Sequence, residues 1–507
     1  MNNLGVDAVP YEIISKVRDE VKSKKEFNDG IEILFKGSSE FDRYKEFFIP
    51  RKPDEPLDLY NYRLFLSSYD NLLSQCTGSL LNKFTDVSYT VEGLPEGETI
   101  SSKLWNRIRK SLDGNGLNER EFFQRLLLEL IKFGRVGIVY SLTGNPTGNL
   151  RDDFLSGVQP KIKIYSSPNI IDYGLDDKGN YDYVKIESLV TKNNPLSSDQ
   201  IFANWEIYTK DSYMRFEVEV EKNEVGCYVP KTTQKTITEA RIGLINVECV
   251  ESYLHGFPSI PVQIIEVDET KHLAHKAYSV EKSRILISNH TNFASVTVGG
   301  QIQRVIKPLE GVDDIEGFGG DDFGLHTVIQ ADSYKMVETS GSSIKVLQER
   351  EQALSDIVRD LFYNSSISNS RHRVSQESGK AKQLDFAPLQ DYLTTMGLIC
   401  CETLENIYRY FSQILGDNVK ESINITGLNQ FLLESADSYI EKLVLLGGNW
   451  DNLPNSLKVE FLEDTARKLA PNASVDTQNR IVEEIKVGIG DNIVGKLNPL
   501  RKTLSTT

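Results

Sequence analysis

The sequence predicts an α+β fold, with a block of strands bracketed by helices. Three observations carry this reading. Segments with period-two alternation or β-branched runs cluster between residues 161 and 267. Apolar residues at helical spacing dominate before and after that block. Strands and helices do not alternate one for one, as a doubly wound parallel sheet requires.

Taken in order, residues 1–55 are charged and mostly helical, with Ile13, Ile14, Val17 and Val21 marking one apolar face. Pro50, Pro53 and Pro56 then break the chain. Residues 57–84 read as a buried helix carrying Leu64, Leu72, Leu73, Leu80 and Leu81, with Gly78 near its end. A strand at 87–91, a Gly/Pro turn at 93–97 and a short helix at 102–112 follow. Gly114 and Gly116 precede a strong helix at 119–133. No strand precedes this G-x-G and no third glycine falls in register, so it reads as an interhelix turn, not a nucleotide loop. A buried strand at 135–142 opens the β region. KIKIY, DYVKIESLV, NWEIYT, MRFEVEVEK and EARIGLINVECV then read as strands, and the block closes at 259–265.

The second half is organised differently. Residues 271–294 form a helix with Tyr278, Ile285, Ile287 and Phe293. Residues 296–306 are strand-like around a Gly-Gly turn. An acidic glycine-rich loop at 311–324 and a strand at 327–330 follow, and 334–338 leads into the next helix. That helix carries Leu347, Leu354, Ile357, Val358 and Leu361 at helical spacing. A polar loop at 364–383 holds Arg371, Arg373, Lys380 and Lys382 against one anion, Glu377, a balance of +3. In the long helix beyond it, Leu389, Leu393, Met396, Cys400, Leu404, Ile407, Phe411 and Ile414 keep a 3.6-residue period. It is about 40 Å long at 1.5 Å per residue. A short strand at 422–426 and helices at 431–446, 457–469 and 475–487 complete the chain, the last two bounded by Pro471, Ser474 and Gly488.

Composition narrows the function classes. A chain of 507 residues with 39% hydrophobic and 26% charged residues has the balance of a soluble globular protein. No apolar run approaches the ~18 residues of a membrane span. The first residues have neither the basic nor the apolar region of a secretory signal, so a cytoplasmic site of synthesis is expected. Five scattered cysteines without C-x-x-C spacing read as reduced packing thiols, one of the adjacent Cys400 and Cys401 facing the core. His272 and His275 share a helix face, but no carboxylate completes an H-E-x-x-H pattern, and no metal site is expected there. The net charge of −16 argues against a broad grip on nucleic acid. It is compatible with an acidic wall past which DNA slides.

The acidic loop, with Asp313, Asp314, Glu316, Asp321 and Asp322, offers oxygen ligands without the order of an EF-hand. It reads as a solvated loop, with a divalent-cation site or a docking surface as alternatives. No Ser-His-Asp order, nucleophile elbow, P-loop or kinase signature is present. No catalytic residue and no cofactor are assigned, and the chain is not expected to be an enzyme.

The order of elements resembles that of the portal, or head–tail connector, proteins of tailed bacteriophages. Tyr62-Arg63 with Tyr69, Asn71 and Gly78-Ser79-Leu80-Leu81 is similar to that family's N-terminal helix and following glycine. Gly134 to Tyr140 resembles its central strand, and Lys163-Ile164-Tyr165 through Ile170-Ile171-Asp172 the segment where its chain turns back. Ser259-Ile260-Pro261-Val262 resembles the strand before the first stem helix, and Val337-Glu338-Thr339-Ser340-Gly341 the lead-in to the second.

The resemblance implies a subunit with a mixed wing at 1–270, stem helices at 271–296 and 344–363, and a small β/loop clip at 297–343. It further implies a tunnel loop at 364–383, a long spine helix within the wing at 384–436, and a helical crown and tail at 437–507. Pro388 would lie at the first turn of the spine helix or at a kink in it. Such subunits would form a ring of about twelve at one capsid vertex, through which double-stranded DNA is packaged, retained and ejected. Arg371, Arg373, Lys380 and Lys382 would face that DNA, without base reading, as a collar repeated by symmetry. Arg304, Lys307, Asp313, Asp314, Asp321 and Asp322 would face a tail adaptor. The implied partners are other copies of the chain, the major capsid protein, the terminase large subunit, the adaptor and DNA, with no membrane. The implied location is the virion, after assembly in the host cytoplasm. Two other readings compete: a different virion connector or structural protein, and a metal-dependent enzyme acting on nucleic acid.

Overall fold

The computed structural model describes residues 8–85, 87, 89–144, 150–192, 199–222, 228–231, 245–257, 259–300, 303–307, 333–337, 342–362, 379–416, 422–428 and 480. The predicted acidic loop, the strand at 327–330 and the three C-terminal helices lie outside these residues.

The described chain is α+β. It opens with β1 (Ala8–Pro10) and the helices α1 (Tyr11–Ile14), α2 (Asp19–Ser23), α3 (Lys25–Lys36) and α4 (Ser38–Phe48). Then come α5 (Leu57–Phe65), α6 (Leu72–Thr85), β2 (Tyr89–Glu92), α7 (Ile100–Lys110), α8 (Glu119–Phe133) and β3 (Arg135–Leu142). The β region holds α9 (Leu150–Ser156), β4 (Pro160–Ser166), β5 (Ile170–Leu175), β6 (Tyr181–Lys192), β7 (Gln200–Thr209), β8 (Ser212–Lys222), β9 (Tyr228–Pro230), β10 (Asn246–Leu254) and β11 (Val262–Glu266). The remaining elements are α10 (Leu273–Gly300), β12 (Gln303–Lys307), β13 (Ser333–Val337), α11 (Ser342–Leu361), α12 (Gly379–Leu415) and β14 (Asn424–Gly427). They fall into two compact units, the first comprising Met1–Ser79, Arg125–Thr143 and Lys161–Val374, the second Leu80–Gln124, Gly144–Pro160 and Ser375–Thr507.

The first unit is built on a seven-stranded antiparallel sheet in the order β1-β10-β8-β7-β6-β5, with β9 paired to β8. Alternation sets its two faces. Trp205 stands opposite Glu187 and Phe216 in the ladder. With Ala203, Val220 and Val247 it packs against Ile14 from the N-terminal segment. Tyr208, Tyr213, Val184 and Ile186 pack with Val139, Tyr165 and Val262 of the β11-β3-β4 sheet. The buried Glu206 carboxylate accepts hydrogen bonds from Tyr165 and Tyr208. The expected strands at 135–142, 161–165, 182–190 and 214–222 match β3, β4, β6 and β8 to within two residues at each end, whereas β1, β5, β9 and β13 were not foreseen.

The helical expectations need four corrections in this unit. The single helix at 57–84 is two helices, α5 and α6. Between them Asn71 adopts a left-handed φ of 57°, and the Ser67 hydroxyl caps the carbonyl of Leu64. Polar groups here compete with the helix for backbone partners. Gly78 consequently lies inside α6, not near its end. Ile13 is exposed while Ile14 is buried, because α1 is a single turn against the sheet and has no long apolar face. The strand-like reading of 296–306 fails at its start: residues 296–300 continue α10, and only Gln303–Lys307 is a strand. On α11, Ile357 is exposed and its place in the core is taken by Phe362 and Ser355.

The second unit pairs β2 with β14 and packs aromatic and aliphatic groups along α12. Leu389, Tyr392, Leu393, Met396, Cys400, Leu404, Ile407, Tyr408 and Phe411 are all buried, as the 3.6-residue period predicts. Cys401 is buried too, its thiol on the carbonyl of Gly427, so both adjacent cysteines face the interior. α12 begins at Gly379, earlier than expected, and its 37 residues span about 55 Å. Pro388 lies inside it, beyond the first turn, where one main-chain hydrogen bond is forfeited. Gly114 and Gly116 form the expected turn between α7 and α8; Asp113 accepts from the amides of Asn115 and Leu117.

Candidate functional site

The group of elements most unlike an ordinary core is α10, the β12–β13 ribbon and α11. α10 starts after a turn in which Asp268 caps Thr270. Its 28 residues reach about 42 Å. It packs along α11 on one side and against α3, α4 and α5 on others. A helix covered on several sides should be apolar all round. This one instead buries Glu281, Arg284, Asn289 and Thr291.

Buried charge must be paired, and here it is. The Arg284 guanidinium grips Glu281 through Nε and Nη2, both at 2.8 Å. The same group donates to Asp70 and lies 3.9 Å from Glu351 of α11. Burial pushes the Glu281 carboxyl above its ordinary range, against the pull of Arg284. One cation thus ties α10 to the segment before α6 and to α11.

Arg63 of α5 makes the second tie. Its Nε and Nη2 donate to the two oxygens of Glu55 at 2.8 and 2.7 Å. Nη1 donates to Asn289 of α10 at 3.0 Å and Nη2 to the carbonyl of Pro50 at 2.9 Å. Asn289 donates back to the carbonyl of Arg63 at 2.7 Å. The Arg63 hydrogen bonds, joined by the amide of Lys52, lower the Glu55 carboxyl to about 2. Bidentate geometry of this kind is specific to arginine.

At the C-terminal end of α10, β12 and β13 form an antiparallel ribbon. Of the predicted adaptor-facing residues, Arg304 stands opposite Met336 and Lys307 opposite Ser333. Asp313, Asp314, Asp321 and Asp322 lie outside the described residues. So do Arg371 and Arg373 of the basic loop. Lys380 and Lys382 fall in the first turn of α12, not in a loop. The ribbon belongs to the first unit and α12 to the second. The Nε2–H of His272 donates to the carbonyl of Val267, 2.9 Å away, and the His272 ring lies 5.5 Å from that of His275, whose pKa burial lowers to about 4. No cluster of three or more metal-ligating side chains occurs among the described residues.

No protein-family model and no curated protein matches this sequence. Solved structures do show a likeness. A chain in the neck of an empty gene transfer agent particle, computed with six-fold symmetry, is 11% identical at a TM-score of 0.39. The match covers 81% of this chain and 94% of that one. A chain in the virion of the native gene transfer agent particle is 10% identical at a TM-score of 0.40, with the same coverage. Overlap this loose fixes no residue-level correspondence.

Sequence reading assigned no role to Arg63, Glu55, Asn289, Arg284, Glu281 or Asp70. Two signals were available. Arg63 is a cation inside a run of tyrosines and leucines, and Glu281 and Arg284 are three apart on one helix. Their partners across the fold had no local signal.

Proposed function

We propose that this chain is a portal-type connector subunit, which assembles into a ring that carries double-stranded DNA at one vertex of a virion. The observation that carries the reading is the order of elements. A helix pair, α10 and α11, flanks an inserted two-stranded ribbon and is followed by a separate long helix, α12. The same order underlies the sequence resemblance to bacteriophage portals. In that arrangement α10 and α11 are the stem, residues 297–343 the clip and α12 the spine.

The chemistry fits a conduit. A chain of net charge −16 repels phosphate on balance, which suits a conduit that DNA slides past. Arg371, Arg373, Lys380 and Lys382 make a locally basic segment, and Lys380 and Lys382 belong to the N-terminal turn of α12, where the helix dipole adds to their positive charge. In a ring, a balance of +3 per copy becomes a collar. The major capsid protein, a terminase motor and a tail adaptor would be the partners.

Electron microscopy of the purified chain tests the class: rings with a central hole are expected, and a compact monomer would refute the reading. Replacing Arg371 and Arg373 together with alanine should leave the rings intact and reduce DNA packaging or retention. Monomers in that double variant would make the loop an interface instead.

A further inference from the structure

We propose that copies of this chain join through two outward stripes: Asp58, Tyr62 and Phe65 on α5 of one copy, and Arg350, Ala353 and Ile357 on α11 of the next. The proposal rests on the ring reading above and names the surfaces that would close it. Both helices belong to the first unit and both pack on α10. Arg63 and Leu64 turn inward from α5, and Leu354, Val358 and Phe362 turn inward from the α11 side. What remains outside includes several large apolar side chains. Phe65 is 77% exposed and Tyr62 41%, the latter resting its edge on Phe293. Val346 is 63% exposed and Ile357 44%, on the same face of α11 as Arg350 and Ala353.

The two stripes match in length, charge and relief. Asp58 and Phe65 are seven residues apart, as are Arg350 and Ile357, so each pair spans about 10.5 Å along its helix. Laid side by side in parallel, Asp58 meets Arg350 and Phe65 meets Ile357. The bulk of Tyr62 falls opposite the small Ala353. Asp58 and Arg350 are exposed, and neither makes an ion pair among the described residues. Two different faces of one chain that fit each other give a head-to-tail contact, which generates a ring when the rotation closes. Copies that each carry −16 repel one another, so a contact made of apolar groups and one opposite-charge pair is the kind that overcomes the repulsion. The buried Arg63–Glu55–Asn289 ties hold α5 rigid beneath its outer stripe, which limits the ordering cost of association.

The test is charge reversal read by mass photometry and negative-stain imaging of the full chain. Asp58→Arg alone and Arg350→Asp alone should each convert rings to monomers, with unchanged circular dichroism. The double variant Asp58→Arg with Arg350→Asp should restore rings, because each contact regains opposite charges. Mixing the two single variants should also restore them, as alternating copies. Wild-type rings with single variants that assemble equally well would overturn this interface while leaving the ring intact. Single variants that fail and a double variant that also fails would overturn the pairing of these two residues. A wild-type chain that never associates would overturn the ring reading itself, and this interface with it.

Discussion

Replacing Arg63 with alanine tests the claim that buried ion pairs lock α5 to α10. The change removes both bonds to Glu55, the bond to Asn289 and the bond to the Pro50 carbonyl. Glu55 is left with the amide of Lys52 as a hydrogen-bond donor, in a site where its side chain is 6% exposed. Removing one partner of a buried pair costs about 3–5 kcal/mol. The Glu55 carboxyl gives a second route to the figure. Its ordinary value of 4.5 falls to about 2 in the fold, and at about 1.4 kcal/mol per pH unit that is on the order of 3.5 kcal/mol. Amide exchange in α5 and the middle of α10 at pH 7 should therefore accelerate on the order of 10²-fold. Because the folded value is the lower one, the contribution is complete above pH 4.5 and disappears as pH falls through about 2. The gap between wild type and variant in thermal unfolding should thus narrow from pH 5 to pH 3. Exchange that changes less than threefold, or a gap as wide at pH 3 as at pH 7, would refute the reasoning. Arg63→Lys should fall between, since lysine keeps the charge but not the fork.

Two further outcomes follow from the second unit. A Cβ at Gly397 would lie 1.6 Å from the carbonyl oxygen of Leu428, so Gly397→Ala should lower stability by about 1–3 kcal/mol, read by urea unfolding. An unchanged midpoint would mean that α12 and β14 do not approach as described. Tyr408 donates to the buried Glu119 carboxylate, which also takes Tyr89 at 2.7 Å and Arg109 at 2.7 Å. Burial, then Glu119, raises the Tyr408 phenol well above its ordinary value, so it stays a neutral donor. Tyr408→Phe should cost about 1.5–3 kcal/mol, the range for a hydrogen bond to a charged group, without changing the edge-on contact of Trp105 with the ring. A loss near zero would show that Tyr89 and Arg109 suffice.

The sequence by itself determined the fold class, the strand block and the two helices α10 and α12, because period and burial are local consequences of spacing. The buried stripe of α12 from Leu389 to Phe411 needed nothing more than the 3.6-residue repeat. Short-range competition was less legible. The break between α5 and α6 depends on the left-handed Asn71 and on Ser67, signals too weak to outweigh a continuous run of leucines. The exposure of Ile357 beside the burial of Ser355 was decided by which face α10 covers. Only the tertiary structure revealed the ties at Arg63 and Arg284. Asn289 is 226 residues from Arg63 and Asp70 is 214 from Arg284, and pairing at that range is set by packing, not by spacing. The physical reason is the same in each case. A charge is stable in a core only where its partners meet it: Glu281 and Glu55 lie close in sequence to Arg284 and Arg63, but Asp70 and Asn289 reach them only through the packing.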